Sequence, residues 1–264
     1  MLYYIRYLLL STNSKKSPEA IGCFNDINRM DEIPQCYFVE NAKIGLKPEM
    51  DVLEKALKIA RYLRTNILGG PGLGLSSDIT LQKMLGGSGG VCSDFCQIFN
   101  IFCFINDIKV KEWGCIDQFY KAKFGHSFNE IYSEEEHKWI AIDVHKSILF
   151  TDADGAVKFS VMELFSSLRK GNELNLLFFS GYIPKKLERL KYVYSRHTIP
   201  FLITNYKNSV NDYFLKRFKK FPPFVINGIM FLYKKNHTFV FVMNNYKLDL
   251  LPKPLRNFRL PSFH

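Results

Sequence analysis

The sequence predicts an α+β fold in which helices pack on an antiparallel β-sheet. Two helical segments and one hairpin indicate this class: an amphipathic pattern over residues 48–67, an apolar run from about Cys92 to Asn106, and alternating strands over residues 125–144. The chain has 264 residues, of which 47% are hydrophobic, and this is enough for a large core. A globular protein is therefore expected, and a disordered or fibrous one is excluded.

The first helix is predicted to start at Pro48, a residue that suits the first helical position. One face of this helix would carry its apolar side chains, namely Leu53, Ala56, Leu57, Ala60 and Leu63. A glycine cluster, GGPGLG at residues 69–74, is expected to end it as a structural loop. The spacing of these glycines matches neither common phosphate-binding pattern.

The second helix follows the sequence GGSGG and is predicted to begin at Cys92. Phe95, Phe99 and Phe102 would line a buried face. A structural turn that leads into a buried helix is one interpretation. A reactive thiol is the other, because a helix N-terminus lowers the pKa of a cysteine, and preceding glycines let a substrate approach the backbone closely.

The hairpin is predicted to have a four-residue turn at residues 133–136. This register would place Phe128 opposite Ala141 and His126 opposite Asp143, with Cβ atoms ~5 Å apart in each pair. A histidine held by an aspartate can take a proton from a thiol. Cys92, His126 and Asp143 are therefore predicted to be nucleophile, base and orienting group, with the N–H of Cys92 as one oxyanion donor.

Two further elements are predicted on either side of this hairpin. Residues 109–116 alternate as a strand. Ser160 is expected to cap a short helix that continues through Leu168.

Three short blocks of the sequence are similar to those of a known superfamily. The blocks are Gly-Val-Cys-Ser-Asp-Phe at 90–95, Gly-His-Ser-Phe-Asn-Glu at 125–130 and Trp-Ile-Ala-Ile-Asp at 139–143. Over roughly residues 50–150 the chain resembles the transglutaminase-like superfamily, a branch of the papain-like cysteine enzymes. Phe128 and the pair Val144-His145 depart from the residues that are common there.

The resemblance implies a papain-like core in which the helix that carries the nucleophile packs on the sheet. It also implies attack on an amide carbonyl through a thioester, followed by hydrolysis or acyl transfer, with no cofactor. Hydrolysis is favoured because water is the simplest acceptor. The second oxyanion donor of the family has Gln82 as its candidate here.

Two alternatives stay open. Cys92, Cys96, Cys115 and His126 could hold zinc, although the spacing lacks a second C-x-x-C pair. The chain could also be a non-enzymatic binding module that keeps the fold and binds an anionic polymer through its C-terminal region.

The net charge of +11 is concentrated in the C-terminal third of the chain. Residues 181–264 contain 16 Lys and Arg against three acidic residues, whereas residues 1–180 carry a formal charge of −2. This basic, aromatic-rich region is expected to meet an anionic polymer or an acidic substrate. Its main contributors are predicted to be Lys185, Lys186, Arg217, Lys219, Lys220, Lys234 and Lys235.

The predicted organisation has three parts: an N-terminal segment (1–45), a catalytic core (46–180) and the basic region (181–264), packed on the core. The six cysteines are interpreted as free thiols in a reducing, cytoplasmic compartment. Arg6 interrupts the first apolar run, so no signal peptide is expected. No apolar stretch reaches the ~20 residues of a membrane span.

Overall fold

An eight-stranded sheet forms the centre of the protein. The computed structural model describes residues 7, 9–117, 125–181 and 187–249, so Lys185 and Lys186 lie outside the described residues. The sheet order is β1-β8-β7-β2-β3-β4-β5-β6. The strands are β1 (Ser11–Asn13), β2 (Val110–Asp117), β3 (Gly125–Ser133), β4 (Lys138–Asp143), β5 (Ile148–Thr151), β6 (Asn175–Phe178), β7 (Thr198–Thr204) and β8 (Thr238–Phe241).

The strand directions make the sheet mixed. β1 and β8 run parallel, and every other neighbouring pair is antiparallel. The α+β class is confirmed, but the expected antiparallel sheet is in fact mixed, because the edge strand β1 pairs with β8 in the parallel direction. Since β7 pairs with β2, residues beyond 181 belong to the same sheet as the hairpin.

The helices flank this sheet. They are α1 (Gln35–Ile44), α2 (Val52–Asn66), α3 (Ser77–Lys83), α4 (Cys92–Ile105), α5 (Val161–Arg169), α6 (Leu187–Val193), α7 (Asn208–Arg217), α8 (Pro223–Leu232) and α9 (Tyr246–Asp249). A π-helical turn, Met84–Ser88, extends α3. Within the described ranges, no helix combines the length and the apolar character that crossing a membrane requires.

Two hydrophobic cores lie on the two sides of the central strands. Side chains of α2 and α4 form one core together with Ile131 and Ile140. Side chains of α5 and α6 form the other together with Phe128 and Ala141. Because successive residues of a strand point to opposite faces, β3 and β4 contribute to both cores. The hairpin is thus held between two helical layers.

The predicted starts of α4 and α5 agree with the structure. Helix α4 starts at Cys92, and Ser160 caps α5 by accepting a hydrogen bond from the Glu163 N–H at 3.2 Å. The predicted start of α2 at Pro48 is wrong. Asp51 caps that helix instead, because its carboxylate accepts the N–H of Glu54 at 2.6 Å and satisfies a donor that the first turn leaves unpaired.

The predicted hairpin register is wrong by two residues. Tyr132 pairs with Trp139 and Glu130 with Ala141, so the turn is residues 134–137. The cause is His137, which adopts a left-handed conformation with φ of 51° and closes the turn. A shift of two keeps every side chain on its predicted face, whereas a shift of one would have reversed them all.

Two glycine segments pack backbone against backbone just before α4. The N–H of Gly70 donates to the carbonyl of Gly90 at 2.9 Å. A Cβ atom at Gly70 would lie 2.9 Å from the Ser88 carbonyl oxygen, and one at Gly89 would lie 2.9 Å from the Cα of Gly70. Gly89 also has φ of 71° and ψ of −166°, a region that essentially only glycine occupies. The approach of these segments therefore fixes the chain that leads to Cys92.

We expect Gly89→Ala to lower the free energy of unfolding by at least about 1 kcal/mol, because the new methyl group meets backbone and the conformation is strained. Gly86→Ala is the matched control, since its Cβ would have no heavy atom within 4 Å. Urea unfolding of both variants measures the difference. If the two variants were equally stable, the close approach of Gly89 to Gly70 would not contribute to the stability of the fold.

Candidate active site

The start of α4 and the open end of the hairpin bring three side chains together. Cys92 is the first residue of α4, His126 is the second residue of β3, and Asp143 is the last residue of β4. The Nε2 atom of His126 lies 2.6 Å from Oδ2 of Asp143, and both side chains are buried. The half-buried Cys92 thiol interacts with His126, and this interaction lowers the thiol pKa. Thiol, imidazole and carboxylate are thus neighbours in that order.

The corrected register explains which ring nitrogen contacts the aspartate. His126 and Asp143 are diagonal neighbours rather than directly opposed, because Glu130 pairs with Ala141. Diagonal partners lie about 7–8 Å apart, a distance that long side chains can bridge. Nε2, the ring nitrogen farthest from the backbone, covers that distance, so the aspartate does not occupy Nδ1.

Each of the three groups shifts the pKa of its neighbour towards the charged form. Burial alone raises the pKa of Cys92, but the neighbouring His126 and the N–H of Ser127 outweigh it and hold that pKa below its ordinary value. Burial disfavours a charged His126, yet Asp143 and Cys92 raise its pKa to about 10. Burial likewise opposes ionisation of Asp143, but His126 lowers the pKa of that carboxyl to about 2. The site therefore favours a thiolate beside an imidazolium and a carboxylate.

The other five cysteines behave differently. Burial raises the pKa of Cys96, Cys103 and Cys115 well above the ordinary value, and it also raises the pKa of Cys36. Burial, together with the neighbouring Asp26, raises the pKa of Cys23 to about 12. All six cysteines are described, and Cys92 alone has a lowered pKa.

A tyrosine that follows α6 completes the surroundings of Asp143. The hydroxyl of Tyr194 donates to Oδ2 of Asp143 at 2.8 Å, and the backbone N–H of Lys146 donates to Oδ1 at 2.9 Å. The Tyr194 ring also stands edge-on to the ring of His126, with centroids 6.0 Å apart. Sequence reasoning missed this residue, because nothing local in the segment KYVYSR marks one tyrosine as buried against a carboxylate 51 positions earlier.

His145 lies beside the site as a neutral ring. Its centroid is 6.0 Å from that of His126 and 5.3 Å from that of Phe95. Burial lowers its pKa to about 3, although Asp143 acts in the opposite direction. His126 thus has no second imidazolium next to it to compete for the charge of Asp143.

The aspartate two residues after Cys92 has a structural role at the helix start. Asp94 Oδ2 accepts the N–H of Val91 at 3.0 Å and the N–H of Leu73 at 3.3 Å. It thereby ties the glycine segment of residues 69–74 to α4. These hydrogen bonds to Val91 and Leu73 hold the start of α4, and with it the Cys92 thiol, in place.

The backbone at Cys92 can supply an oxyanion donor, because the first N–H groups of a helix have no partner within the helix. Gln82, the predicted second donor, is exposed on α3. Among the described residues it forms no hydrogen bond with Cys92, His126 or Asp143. Its role stays a prediction.

The four residues of the alternative zinc site, Cys92, Cys96, Cys115 and His126, all lie within the described ranges. In the part of the chain that the structure describes, no group of three or more His, Cys, Asp and Glu side chains is arranged to hold a metal ion.

Comparisons with known proteins give a structural likeness at low similarity. No family model matches the chain, and no curated protein matches it. Among solved structures, the chain is similar to a protein from Cytophaga hutchinsonii described as a candidate cysteine protease, with 18% identity and a TM-score of 0.34. The match covers 60% of this chain and 46% of that protein, so the chain spans less than half of its length.

We expect Cys92 to react with iodoacetamide faster than the other cysteines at neutral pH. Its pKa is lowered whereas theirs are raised, so a larger fraction of this thiol is present as thiolate. In His126→Ala the thiol pKa rises, so the rate should fall at neutral pH and recover only as the pH increases. His197→Ala, at an exposed histidine, is the control. Mass spectrometry of the labelled peptides measures each rate, and an unchanged profile in His126→Ala would disprove the ion pair.

We expect Tyr194→Phe to lower kcat about tenfold, because one hydrogen bond to a charged group is lost while the ring packing is kept. Tyr194 lowers the pKa of Asp143, so its removal raises that pKa and moves the acidic limb of the pH–activity profile to higher pH. The control is Tyr192→Phe, at a half-exposed tyrosine two residues away. A loss of stability without a shift of the acidic limb would show a merely structural role.

Proposed function

We propose that the protein is a cysteine-dependent amide hydrolase or acyltransferase of the transglutaminase-like kind, with Cys92, His126 and Asp143 as its catalytic residues. The observation that carries this proposal is the buried contact between His126 and Asp143 beside the one thiol whose pKa is lowered. A histidine that was only structural would not need a buried carboxylate on one side and a helix-start thiol on the other. The three sequence blocks that resemble the superfamily support the same assignment.

The first step would form a thioester. The Cys92 thiolate attacks the carbonyl carbon of the substrate amide, and the resulting oxyanion accepts a hydrogen bond from the N–H of Cys92. The C–N bond then breaks as the His126 imidazolium gives its proton to the leaving nitrogen. The products are a free amine and an acyl group bonded to the sulfur.

The second step would release the acyl group. Neutral His126 takes a proton from the acceptor, whose oxygen or nitrogen attacks the thioester carbon, and the C–S bond breaks to restore the thiolate. Water as acceptor gives a carboxylic acid, and an amine gives a new amide. Hydrolysis is the favoured outcome, since water needs no acceptor site of its own.

Asp143 would act through the imidazole. Its carboxylate fixes the ring orientation and keeps the imidazolium charged until the leaving nitrogen is protonated. The hydroxyl of Tyr194 and the N–H of Lys146 hold the carboxylate in turn. Tyr194 is a positioning residue in this scheme, because it touches Asp143 and not the reacting atoms.

We expect Cys92→Ala to abolish turnover, a loss of roughly 10⁴-fold or more, while the fold persists. Cys96→Ala is the matched control one turn along α4. It should keep most of its activity but lose some stability, because Cys96 is buried and its truncation leaves a small cavity. The measurement is turnover of a panel of peptide and glycopeptide amides, with intact-mass detection of the acyl adduct at Cys92.

Two results would contradict the proposal. An inactive Cys96→Ala beside an active Cys92→Ala would show that the nucleophile is misassigned. An alkylatable Cys92 that forms no acyl adduct with any amide or thioester donor would instead support the non-enzymatic binding module.

A further inference from the structure

The helical hairpin α7–α8 carries apolar side chains into solvent. Ile226 and Met230 of α8 are buried against Phe214 of α7, and this contact holds the hairpin together. Within the described part of the chain, the opposite side of α8 has no such cover. Phe224 is 59% exposed and Leu232 is 79% exposed.

These exposed positions are ordered along one face. Phe224, Gly228 and Leu232 are spaced by four residues, so they follow one another along the same side of α8. Phe221 and Tyr233, 51% and 66% exposed, extend the apolar surface beyond the two ends of the helix. Helix α8 is buried on one side, and its solvent-exposed side is also apolar. An ordinary surface helix has a polar outer face instead.

Positive charge flanks this face at both ends. From residue 213 to residue 235 the chain has six basic residues and no acidic one. Arg217, Lys219 and Lys220 are exposed before α8, and Lys234 and Lys235 are exposed after it. Between Phe221 and Tyr233 no residue is charged. The surface is thus an apolar centre with basic ends.

We propose that the α7–α8 hairpin binds the surface of an anionic lipid bilayer. Phe224 and Leu232 would enter the boundary between headgroups and acyl chains, and the flanking lysines would contact lipid phosphate and carboxylate groups. Interfacial helices bind membranes in this way, because burial of their apolar side chains and attraction of their basic side chains to anionic lipid act together. The helix would lie on the membrane, since its ten residues span only about 15 Å.

A nucleic acid fits this surface less well. Phosphates follow one another every ~3.4 Å along one strand of a duplex, so a strand laid along α8 would place several of them on a face without a charged partner. It would also leave the most exposed side chain, Leu232, without an apolar environment. A bilayer satisfies both the apolar centre and the basic ends.

The test is sedimentation of the full chain with vesicles of phosphatidylcholine, with and without about one third phosphatidylserine. We expect binding to the anionic vesicles that weakens with added salt. The double variant Phe224→Ser/Leu232→Ser should weaken binding about tenfold or more, because the inserted apolar surface is lost. The triple variant Lys219→Gln/Lys220→Gln/Lys235→Gln should weaken it about fivefold for each charge removed.

Matched controls lie elsewhere on the surface. Val39→Ser/Val157→Ser removes two exposed apolar side chains, and Lys15→Gln/Lys83→Gln/Lys170→Gln removes three exposed charges. Both should bind like the unaltered chain, and all variants should keep the reactivity of Cys92, which separates this test from that of the proposed function. Unchanged binding by Phe224→Ser/Leu232→Ser would overturn the proposal. So would binding to a single-stranded oligonucleotide without binding to vesicles, or binding to neither.

Discussion

The hydrogen bond between His126 Nε2 and Asp143 Oδ2 is the interaction on which the site depends. At 2.6 Å and between two buried side chains, it keeps an imidazolium charged in a place where burial alone would neutralise it. That imidazolium in turn stabilises the Cys92 thiolate against its own burial. Removing the aspartate would leave a buried cation without its partner, so the pair needs a rigid frame. The hairpin between two helical cores supplies that frame.

Several distant parts of the chain converge on this one contact. Helix α4 contributes the thiol at its first residue, and two interlocked glycine segments fix how the chain enters that helix. Strands β3 and β4 contribute the histidine and the aspartate. The C-terminal region adds the hydroxyl of Tyr194, so the basic third of the chain also helps to hold the carboxylate. The same region presents the α7–α8 surface, so one stretch of sequence contains both a candidate membrane contact and a support of the candidate active site.

The sequence alone indicated the elements of the site, because local signals define them. Glycines before a cysteine, an apolar run after it and alternating strands all act over a few residues, and they predicted the start of α4 at Cys92 and the hairpin. The exact register was not predictable, since it depends on whether His137 adopts a left-handed conformation. Tyr194 and the capping role of Asp51 were missed for the same kind of reason: each depends on which of several similar polar groups the folded chain brings to a particular partner. Side chains of a strand alternate between the two faces of the sheet. An error of two residues in the register therefore left His126 and Asp143 on the same face, as predicted.

The protonation state of His126 tests the central claim most directly. Nitrogen-15 NMR of the His126 ring, followed as a function of pH in the unaltered chain, reports whether one or both ring nitrogens carry a proton. The ion pair predicts that both are protonated at neutral pH and that the ring loses a proton only near pH 10. A ring that is neutral at pH 7 and titrates near the ordinary histidine value of about 6.5 would contradict it.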